Sequence, residues 1–487
     1  MRSGMLLAVV AVIACDTGAA PTLDAAVDAV PVDADEGPFQ GVYDSPDDFP
    51  RTGCVPGSLA GFAHAEHWPQ FGLRTALEPG LVTYRAWGEG ERATPHQLTD
   101  DDLLLRQVIS FGGRWQLEAI DVCAVDADGT LRGTVAYCSE SIPCRTFSVV
   151  APPLRRIAGE SDGEHLTLVG EFNGAPTWPG RTLDLAVDGD LAYLARGTDG
   201  LRIVDLTDPA HPRERGAFVA ADDYWNDVEV LTVGGRRYAI GASNLTRVVD
   251  VTDPDAPVLA AEIPAFSHTV FLDGTVAYLA PDGSPVKIYD LADPRAPRLL
   301  STIADHTAHD VVVADGTAYL SEAFVGVVAL DVADAAAPTL VATAADPGRY
   351  WHHAWPTSVG GRRLLLSGDE GNATVLRVLD ATPGATFLTT VGEWNSPREL
   401  VSIHNFQAIA TRAYVAHYQD GVRVLDLSDP AHPTPVAYFN TWREHSGPAG
   451  GFTAAFGVTV DAARRRLYVA DSIRGLMILG GDATVFP

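Results

Sequence analysis

From residue 180 onward, short apolar runs alternate with turns that are rich in Asp, Gly and Pro. The first such stretch contains four runs in succession: LDLAVDG (183–189), DLAYLARG (190–197), GLRIVDLT (200–207) and RERGAFVA (213–220). These runs are β-branched or alternate apolar with polar residues, and a Gly-Asp step separates the first two, which is typical of antiparallel hairpins. The pattern therefore predicts a four-stranded antiparallel unit.

The third run of this unit returns along the rest of the chain and ends each time in a similar turn. The copies are GLRIVDLTDPAHP (200–212), LTRVVDVTDPDAP (245–257), PVKIYDLADPRAP (285–297), GVVALDVADAAAP (326–338), VLRVLDATPGA (375–385), GVRVLDLSDPAHP (421–433) and a degenerate GLMILGGDATVFP (475–487). In D-P-x-x-P the first proline pre-sets a turn and lacks the N–H that a continuing strand needs. We therefore expect a bend between the third and fourth strands, with His211 and His432 as solvated bend residues.

Repeats of this length that contain four strands are typical of a β-propeller, in which blades bury both faces against their neighbours around a ring. The last copy ends after its third strand, and LTLVGEF (166–172) resembles the missing fourth strand. We predict an all-β fold: a seven-bladed β-propeller of four-stranded antiparallel blades, closed by this N-terminal strand.

The repeated segment, G-[LV]-x-[IV]-[VLY]-D-[LV]-x-D-P-x-x-P, resembles the LVIVD-repeat family of bacterial surface propellers. The resemblance covers residues 166–487, about two thirds of the chain. It implies the propeller fold and a surface lipoprotein, but no particular activity. The fourth copy (VADAAAP) and the fifth (ATPGA) have lost the Asp-Pro step, so the resemblance is weaker there.

The N-terminus has the features of an export signal that ends in a lipid anchor. Arg2 precedes an apolar run from Met5 to Ala14, which is too short to span a bilayer, and Cys15 follows small residues as in a lipoprotein signal. Residues 16–45 are mainly Ala, Asp, Pro and Val, so we expect an extended acidic tether. We divide the chain into a signal (1–15), this tether (16–45), a small mostly-β module (46–160) and the propeller (161–487), and predict an extracytoplasmic, membrane-anchored location.

The remaining cysteines, Cys54, Cys123, Cys138 and Cys144, all lie before residue 150. None forms a C-x-x-C motif, and an exported chain meets an oxidising compartment, so disulfides are favoured over a metal cluster. Three connectivities are possible, and we expect the local pair Cys138–Cys144. The module is thus predicted to be stapled by disulfides.

The charge of the chain narrows the choice of partner. The net charge is −29 with 34 Lys and Arg against 63 Asp and Glu. Nucleic-acid binding and docking on anionic lipid both need clustered basic residues, so neither is expected. We predict a monomer that meets the membrane only through its anchor.

Polar residues recur where the first strand of each copy begins. The aligned pairs are Leu183-Asp184, Asn226-Asp227, His268-Thr269, His309-Asp310, His353-Ala354, His404-Asn405 and Phe456-Gly457, with His352 and His306 nearby. First strands line the channel of a propeller, so four consecutive blades would present a histidine at the channel mouth. Loops between second and third strands reach the same face and add Glu322, Asp369, Glu370, His417, Tyr418, Asp471 and Arg474, and the insertion 440–452 carries Trp442, Arg443 and His445.

These residues have two interpretations. Imidazoles and carboxylates that converge could hold a transition metal such as Zn or Cu, or another ligand. Alternatively, each polar group could bond to the backbone of its own or the next blade, because a repeated fold repeats its internal bonds. The candidate ligand or metal residues are His268, His309, Asp310, His352, His353, His404, Asp227, Glu322, Asp369 and His417.

The functional prediction is an anchored propeller that binds a protein, glycan or small ligand at the histidine-rich mouth. Two alternatives stay open: a metal-dependent oxidase or hydrolase at the same place, and a structural envelope protein without a ligand. No catalytic motif for a serine hydrolase, nucleotide enzyme or zinc protease stands in a supporting context. Catalytic residues therefore cannot be named from the sequence.

Overall fold

The structure is a computed structural model that describes most of the chain after residue 96. The residues it describes are 49, 53–59, 66–67, 73–75, 82–83, and 97–487 except 100, 112–113, 140–144, 152, 154, 175–180, 222, 346–348, 371–374, 398–400 and 444–452. The predicted signal, Cys15 and the tether lie outside these residues, as do Cys144 and His445. The described part divides into two compact units, one that ends at Ala158 and one that begins at Gly159.

The described residues of the first unit form two antiparallel sheets. A three-stranded sheet is formed by β1 (Glu66–His67), β2 (Leu73–Thr75) and β3 (Val82–Thr83), and a five-stranded sheet by β4 (Gln97–Leu98), β5 (Leu103–Phe111), β6 (Arg114–Val125), β7 (Leu131–Ser139) and β8 (Arg145–Ala151). Leu104, Leu117 and Ala136 belong to its buried core. A disulfide joins Cys54 to Cys123 of β6. The side chain of Cys138 lies outside the described part, so the pair Cys138–Cys144 stays a prediction.

In its described residues the second unit consists of seven antiparallel sheets, six with four strands and one with five, which we call blades 1 to 7 in chain order. Blade 1 contains β11 (Asp184–Asp188), β12 (Leu191–Ala195), β13 (Leu201–Asp205) and β14 (Arg213–Phe218). Blade 2 contains β15 (Asp227–Val233), β16 (Arg236–Ala242), β17 (Thr246–Asp250) and β18 (Val258–Ile263). Blade 3 contains β19 (Thr269–Asp273), β20 (Val276–Ala280), β21 (Pro285–Asp290) and β22 (Arg298–Thr307).

Blades 4 to 7 continue the same order. They are β23 (Asp310–Ala314), β24 (Thr317–Glu322), β25 (Gly326–Asp331), β26 (Thr339–Ala345); β27 (Trp351–Val359), β28 (Arg362–Asp369), β29 (Val375–Asp380), β30 (Thr389–Asn395); β31 (Phe406–Ile409), β32 (Arg412–Ala416), β33 (Val422–Asp426), β34 (Thr434–Phe439); and β35 (Ala455–Asp461), β36 (Arg466–Asp471), β37 (Gly475–Gly481) with β10 (Leu166–Phe172).

The blades close into a ring. Each first strand contacts the first strand of the next blade, from β11 through β31 to β35, and β35 contacts β11 again. Between blades, the faces of neighbouring sheets pack through apolar side chains. Leu201 and Ile203 of blade 1, for example, share a buried cluster with Ala239 and Val249 of blade 2 and with Trp225. Inner strands such as β12 and β17 are buried along almost their whole length, so both faces of a blade are covered by its neighbours in the ring.

The predicted closing strand lies where the sequence placed it. β10 pairs antiparallel with β37, with Leu166 opposite Gly481 and Phe172 opposite Leu476, and supplies the fourth strand of blade 7. A second device was not predicted: β9 (Gly163–Glu164) pairs with the outer edge of β34 in blade 6. The segment that precedes blade 1 therefore joins blades 6 and 7 and covers strand edges that would otherwise stay open.

The D-P-A-H-P segments form the predicted bends. Asp208 accepts a hydrogen bond from the N–H of Ala210 through Oδ1 at 3.1 Å, and Asp429 accepts the equivalent bond from Ala431 at the same distance. His211 and His432 contact these aspartates, and their side chains are 72% and 80% exposed. The shared phrase is thus a bend that fixes the fourth strand.

No described residue lies in an α-helix. Among the described residues there is accordingly no helix of the length and apolarity that crossing a bilayer requires.

Candidate functional site

Four histidines from consecutive blades stack side by side at one end of the first strands. The rings of His268 and His309 are 4.2 Å apart between centroids, those of His309 and His352 are 4.4 Å apart, and those of His352 and His404 are 4.3 Å apart. All four side chains are buried, with exposed fractions between 1% and 7%. We call these four residues the histidine cluster. The histidine cluster is therefore an interior site.

The fifth copy was aligned one residue out of register. His352, and not His353, lies in the histidine cluster, because the pairing of β27 with β28 shifts between Trp351 and His353. Such a β-bulge inserts one extra residue into a strand and re-aims the side chains that follow it. A period read from the sequence cannot detect this insertion.

His353 instead occupies a second row, one residue further along the first strands. Its Nδ1 contacts Oδ2 of Asp310 closely, and its Nε2–H donates to the carbonyl oxygen of Phe406 at 2.9 Å. Because a carbonyl and a carboxylate are both acceptors, both ring nitrogens of His353 act as donors when Asp310 is ionised. That ring then has no lone pair for a metal, and the role of His353 is to tie blade 5 to blades 4 and 6.

Asp227 also makes bonds that hold blades together. Its Oδ1 accepts the N–H of Val228 at 2.6 Å, and its Oδ2 accepts the N–H of Val270 in the next blade at 2.8 Å. The second row lines a channel cavity of about 320 Å³, to which Asp184, Asp227, Asp310, His353 and Asn405 contribute. The contacts of the second row therefore agree with the second interpretation, in which polar groups form internal bonds of the repeat.

The other three predicted residues have partners outside the histidine cluster. Glu322 lies 2.8 Å from His306 Nδ1. Asp369 accepts from Arg349 at 3.1 Å and from the N–H of Val375 at 2.8 Å. His417 donates through Nε2 to the carbonyl of Val401 at 2.9 Å.

Glu370 is the loop carboxylate that reaches the histidine cluster. Its Oε2 lies 3.7 Å from His352 Nε2, and its Oε1 accepts a short hydrogen bond from the hydroxyl of Tyr418. The sequence indicated Glu370 as one of the loop groups, but the candidate ligands included its neighbour Asp369 and not Glu370. Asp369 meets Arg349 and the N–H of Val375, whereas Glu370 lies beside His352.

Two contacts of His309 were missed from the sequence. Tyr350 Oη lies 2.8 Å from His309 Nδ1, and Asp282 Oδ1 lies 3.4 Å from the same nitrogen. Asp282 has a positive φ of 41°, which Asp tolerates better than most residues. Its position after β20, in a loop between second and third strands, is the signal that could have found it.

Several nitrogens of the histidine cluster are left available. His309 Nε2 and His352 Nδ1 are buried and have no hydrogen-bond partner. His404 donates from Nδ1 to the carbonyl of Phe456 at 2.7 Å, so in the neutral ring its Nε2 carries the lone pair. A buried nitrogen without a partner costs free energy, so these atoms call for a ligand or another explanation.

Burial keeps three of the rings neutral. It lowers the pKa of His268 and of His404 to about 3, with a further contribution from neighbouring imidazoles, and lowers the pKa of His352 well below its usual value. Burial also opposes charge on His309, but the Asp282 carboxylate outweighs it and the pKa of His309 is raised. Burial raises the pKa of Glu370 to about 7.

One trio within this region has the composition of a metal site. His309, His352 and Glu370 each offer a ligand atom, these atoms all lie within 4.8 Å of one another, and all three residues are buried. Two imidazole nitrogens and one carboxylate oxygen form a donor set used by zinc, and imidazole also suits copper, nickel and iron. His268 and His404 flank this trio on either side.

The ring of four-stranded sheets around a channel defines the protein as an all-β propeller. More particularly, two of its repeats are of the LVIVD type: the LVIVD repeat family model matches residues 179–219 and 412–441, which contain the two D-P-A-H-P copies. A propeller built from such repeats suggests a binding or scaffold role.

Solved propellers of another repeat type are similar to the chain. The WD40 β-propeller domain of Doa1 is 10% identical, with a TM-score of 0.48 over 66% of this chain and 99% of that chain. The structure of U3-55K is 9% identical, with a TM-score of 0.48 over 65% of this chain and 98% of that chain. No curated protein matches the sequence at a significant level.

Proposed function

We propose that the protein is an exported, lipid-anchored propeller that binds a small ligand in the histidine cluster. The observation that carries this proposal is the stack of four buried imidazoles from consecutive blades, two of which have a buried nitrogen without a partner. Internal bonds of the repeat would have satisfied these nitrogens, as they satisfy His353 and Asp227. The cluster therefore differs from the second row in having capacity for a ligand.

Burial of the cluster favours the smallest of the predicted ligand classes. A protein or a glycan needs exposed groups to contact, whereas no ring of the cluster is more than 7% exposed. An ion or a very small molecule can enter such a site. A larger substrate cannot reach the buried rings, so the site is less suited to catalysis on it. We accordingly favour binding over the alternative of an oxidase or hydrolase.

Native mass spectrometry of the full chain, purified without chelators or imidazole, tests this proposal without prior choice of a ligand. We expect a mass excess over the apo chain that survives desalting and is lost in the double variant His309→Gln/His352→Gln, which removes the two rings that have an unpartnered nitrogen. The matched control is His211→Gln/His432→Gln, which changes two exposed bend histidines and should keep the excess. If wild-type protein shows no mass excess under any expression condition, the ligand proposal fails and only a structural role remains for the histidine cluster.

The anchor is tested separately. Cells that express the full chain are supplied with a labelled fatty acid, and we expect label on the wild type and none on Cys15→Ser. The variant should also leave the membrane fraction. Label that persists on Cys15→Ser, or a wild type without label, would contradict the proposed anchor but would leave the ligand proposal intact.

A further inference from the structure

The composition and geometry of the ligand site point to one class of ligand. We propose that His309, His352 and Glu370 bind a divalent first-row transition ion, with Zn²⁺ as the best match to two imidazoles and one carboxylate. This inference rests on the proposed function, since it names the ligand of the same site. It goes further because it separates three ligands from the other polar residues of the channel.

The distances allow this coordination after a small movement. Tetrahedral zinc with bonds of about 2.0–2.1 Å places its ligand atoms about 3.3 Å apart. The three ligand atoms already lie within 4.8 Å of one another. They therefore need to approach by at most about 1.5 Å, which follows from the same comparison of bond lengths. Side-chain rotation can provide this without a change of the blades.

The surroundings prepare the two histidines as ligands. The Nδ1 of His309 faces Tyr350 Oη at 2.8 Å and Asp282 Oδ1 at 3.4 Å, so a proton on Nδ1 is stabilised and Nε2 presents its lone pair. A carboxylate behind a ligating histidine is a common outer partner in zinc sites. Nε2 of His309 is buried and has no hydrogen-bond partner to lose.

The carboxylate is positioned in the same way. Tyr418 donates to Oε1 of Glu370, which leaves Oε2 on the side of His352 at 3.7 Å from Nε2. Three protein ligands leave a fourth position for water or a small anion. His268 and His404 flank the trio, with ring centroids 4.2 Å from that of His309 and 4.3 Å from that of His352.

The test measures metal on the full chain. Protein stripped with a chelator is titrated with Zn²⁺ in competition with a chromophoric chelator, and Co²⁺ is bound as a spectroscopic probe. We expect one ion per chain and the strong visible absorption of a four-coordinate Co²⁺ site. His352→Gln and Glu370→Gln should weaken Zn²⁺ binding by at least about 100-fold, the upper end of what loss of an outer partner costs.

Asp282→Asn provides the finer test. Asp282 is a positioning residue that does not touch the ion. We expect Asp282→Asn to weaken Zn²⁺ binding by about 10- to 100-fold. His432→Gln is the control and should bind Zn²⁺ as the wild type does, since His432 lies on an exposed bend. X-ray absorption of wild-type protein with Zn²⁺ should show scattering from two imidazoles, a result that does not depend on the folding of any variant.

The outcomes separate the two proposals. A stoichiometric mass excess of a size that no transition ion explains would overturn the metal inference and leave the ligand proposal standing. Zn²⁺ that binds only with oxygen ligands, or equally well to Glu370→Gln, would also overturn the inference. Absence of any ligand in the wild type would overturn both.

Discussion

Histidine has two chemical roles at the axis of this propeller, and they differ between adjacent residues. His352 keeps a nitrogen without a partner, whereas both nitrogens of His353 meet acceptors, Asp310 and the carbonyl of Phe406. The difference is set by one β-bulge in β27. At the scale of the residue, hydrogen-bond partners distinguish a ligand from a structural bond.

Substitution of these two neighbours should therefore have opposite effects. We expect His352→Gln to lose Zn²⁺ binding while folding close to normally. His353→Gln should keep Zn²⁺ binding but lower the free energy of unfolding by about 3–5 kcal/mol, because it leaves the buried Asp310 without its partner. Urea unfolding and Zn²⁺ titration of both variants check this. Loss of metal in His353→Gln alone would refute the assignment of the bulge.

The neutral state of His404 makes stability depend on pH. Its pKa is lowered to about 3 by burial, from 6.5 in the unfolded chain. Between these values the unfolded chain binds the proton and the folded chain does not, so stability falls as the pH drops below about 6.5. The slope contributed by one such group is about 1.4 kcal/mol per pH unit.

His404→Gln should remove that contribution. In chelator, urea unfolding of the propeller between about pH 5 and 6.5 should show a slope shallower by about 1.4 kcal/mol per pH unit than in the wild type. His432→Gln serves as the control, since its exposed ring should not change the slope. Parallel pH profiles of wild type and His404→Gln would show that His404 is not buried in its neutral form.

At the scale of the element, the strand that precedes blade 1 closes the ring. β10 completes blade 7, and Leu166 belongs to the buried cluster that contains Val469, Met477 and Leu479. Nearby, Arg423 binds Glu160 at 2.6 Å, which fixes the start of the same segment to blade 6. Removal of this segment would open two strand edges and expose part of a core.

Deletion of 161–174 should accordingly lower the unfolding midpoint far more than deletion of residues 16–37 of the tether. We expect the first variant to melt well below the wild type or to aggregate through its open edges, and the second to melt as the wild type does. Thermal unfolding followed by circular dichroism compares them. Equal midpoints would mean that the ring is held without β10.

At the scale of the whole molecule, two compact units have separate stabilising devices. The propeller is closed by β10, whereas the first unit contains the disulfide Cys54–Cys123, which spans 69 residues. A cross-link that closes a loop of this length is expected to stabilise the folded state by about 4 kcal/mol. The disulfide is therefore expected to stabilise the first unit directly.

Cys54→Ser/Cys123→Ser should reveal this localisation. In hydrogen exchange followed by mass spectrometry, we expect faster exchange in β5 to β7 and unchanged exchange in the propeller strands β23 and β24. The wild type under oxidising conditions is the reference. Uniformly faster exchange across both units would show that the disulfide stabilises the whole chain.

The repeat could be interpreted almost completely from the sequence. The Asp-Pro bend, the solvated His211 and His432 and the pairing of 166–172 with the last copy follow from local rules of turns and from period. The histidine cluster could be predicted only in part. The period placed His268, His309 and His404, but it could not show the bulge that replaces His353 with His352.

Periodic sequence alone determined the class of fold, because apolar alternation and turn residues act over short distances and repeat with the blades. Only the tertiary structure decided the chemistry at the axis. Which carboxylate reaches the imidazoles, Glu370 or Asp369, and which nitrogens stay without partners depend on contacts between blades that are distant in sequence. Such contacts are set by three-dimensional packing, and the local sequence pattern of one repeat carries no information about it.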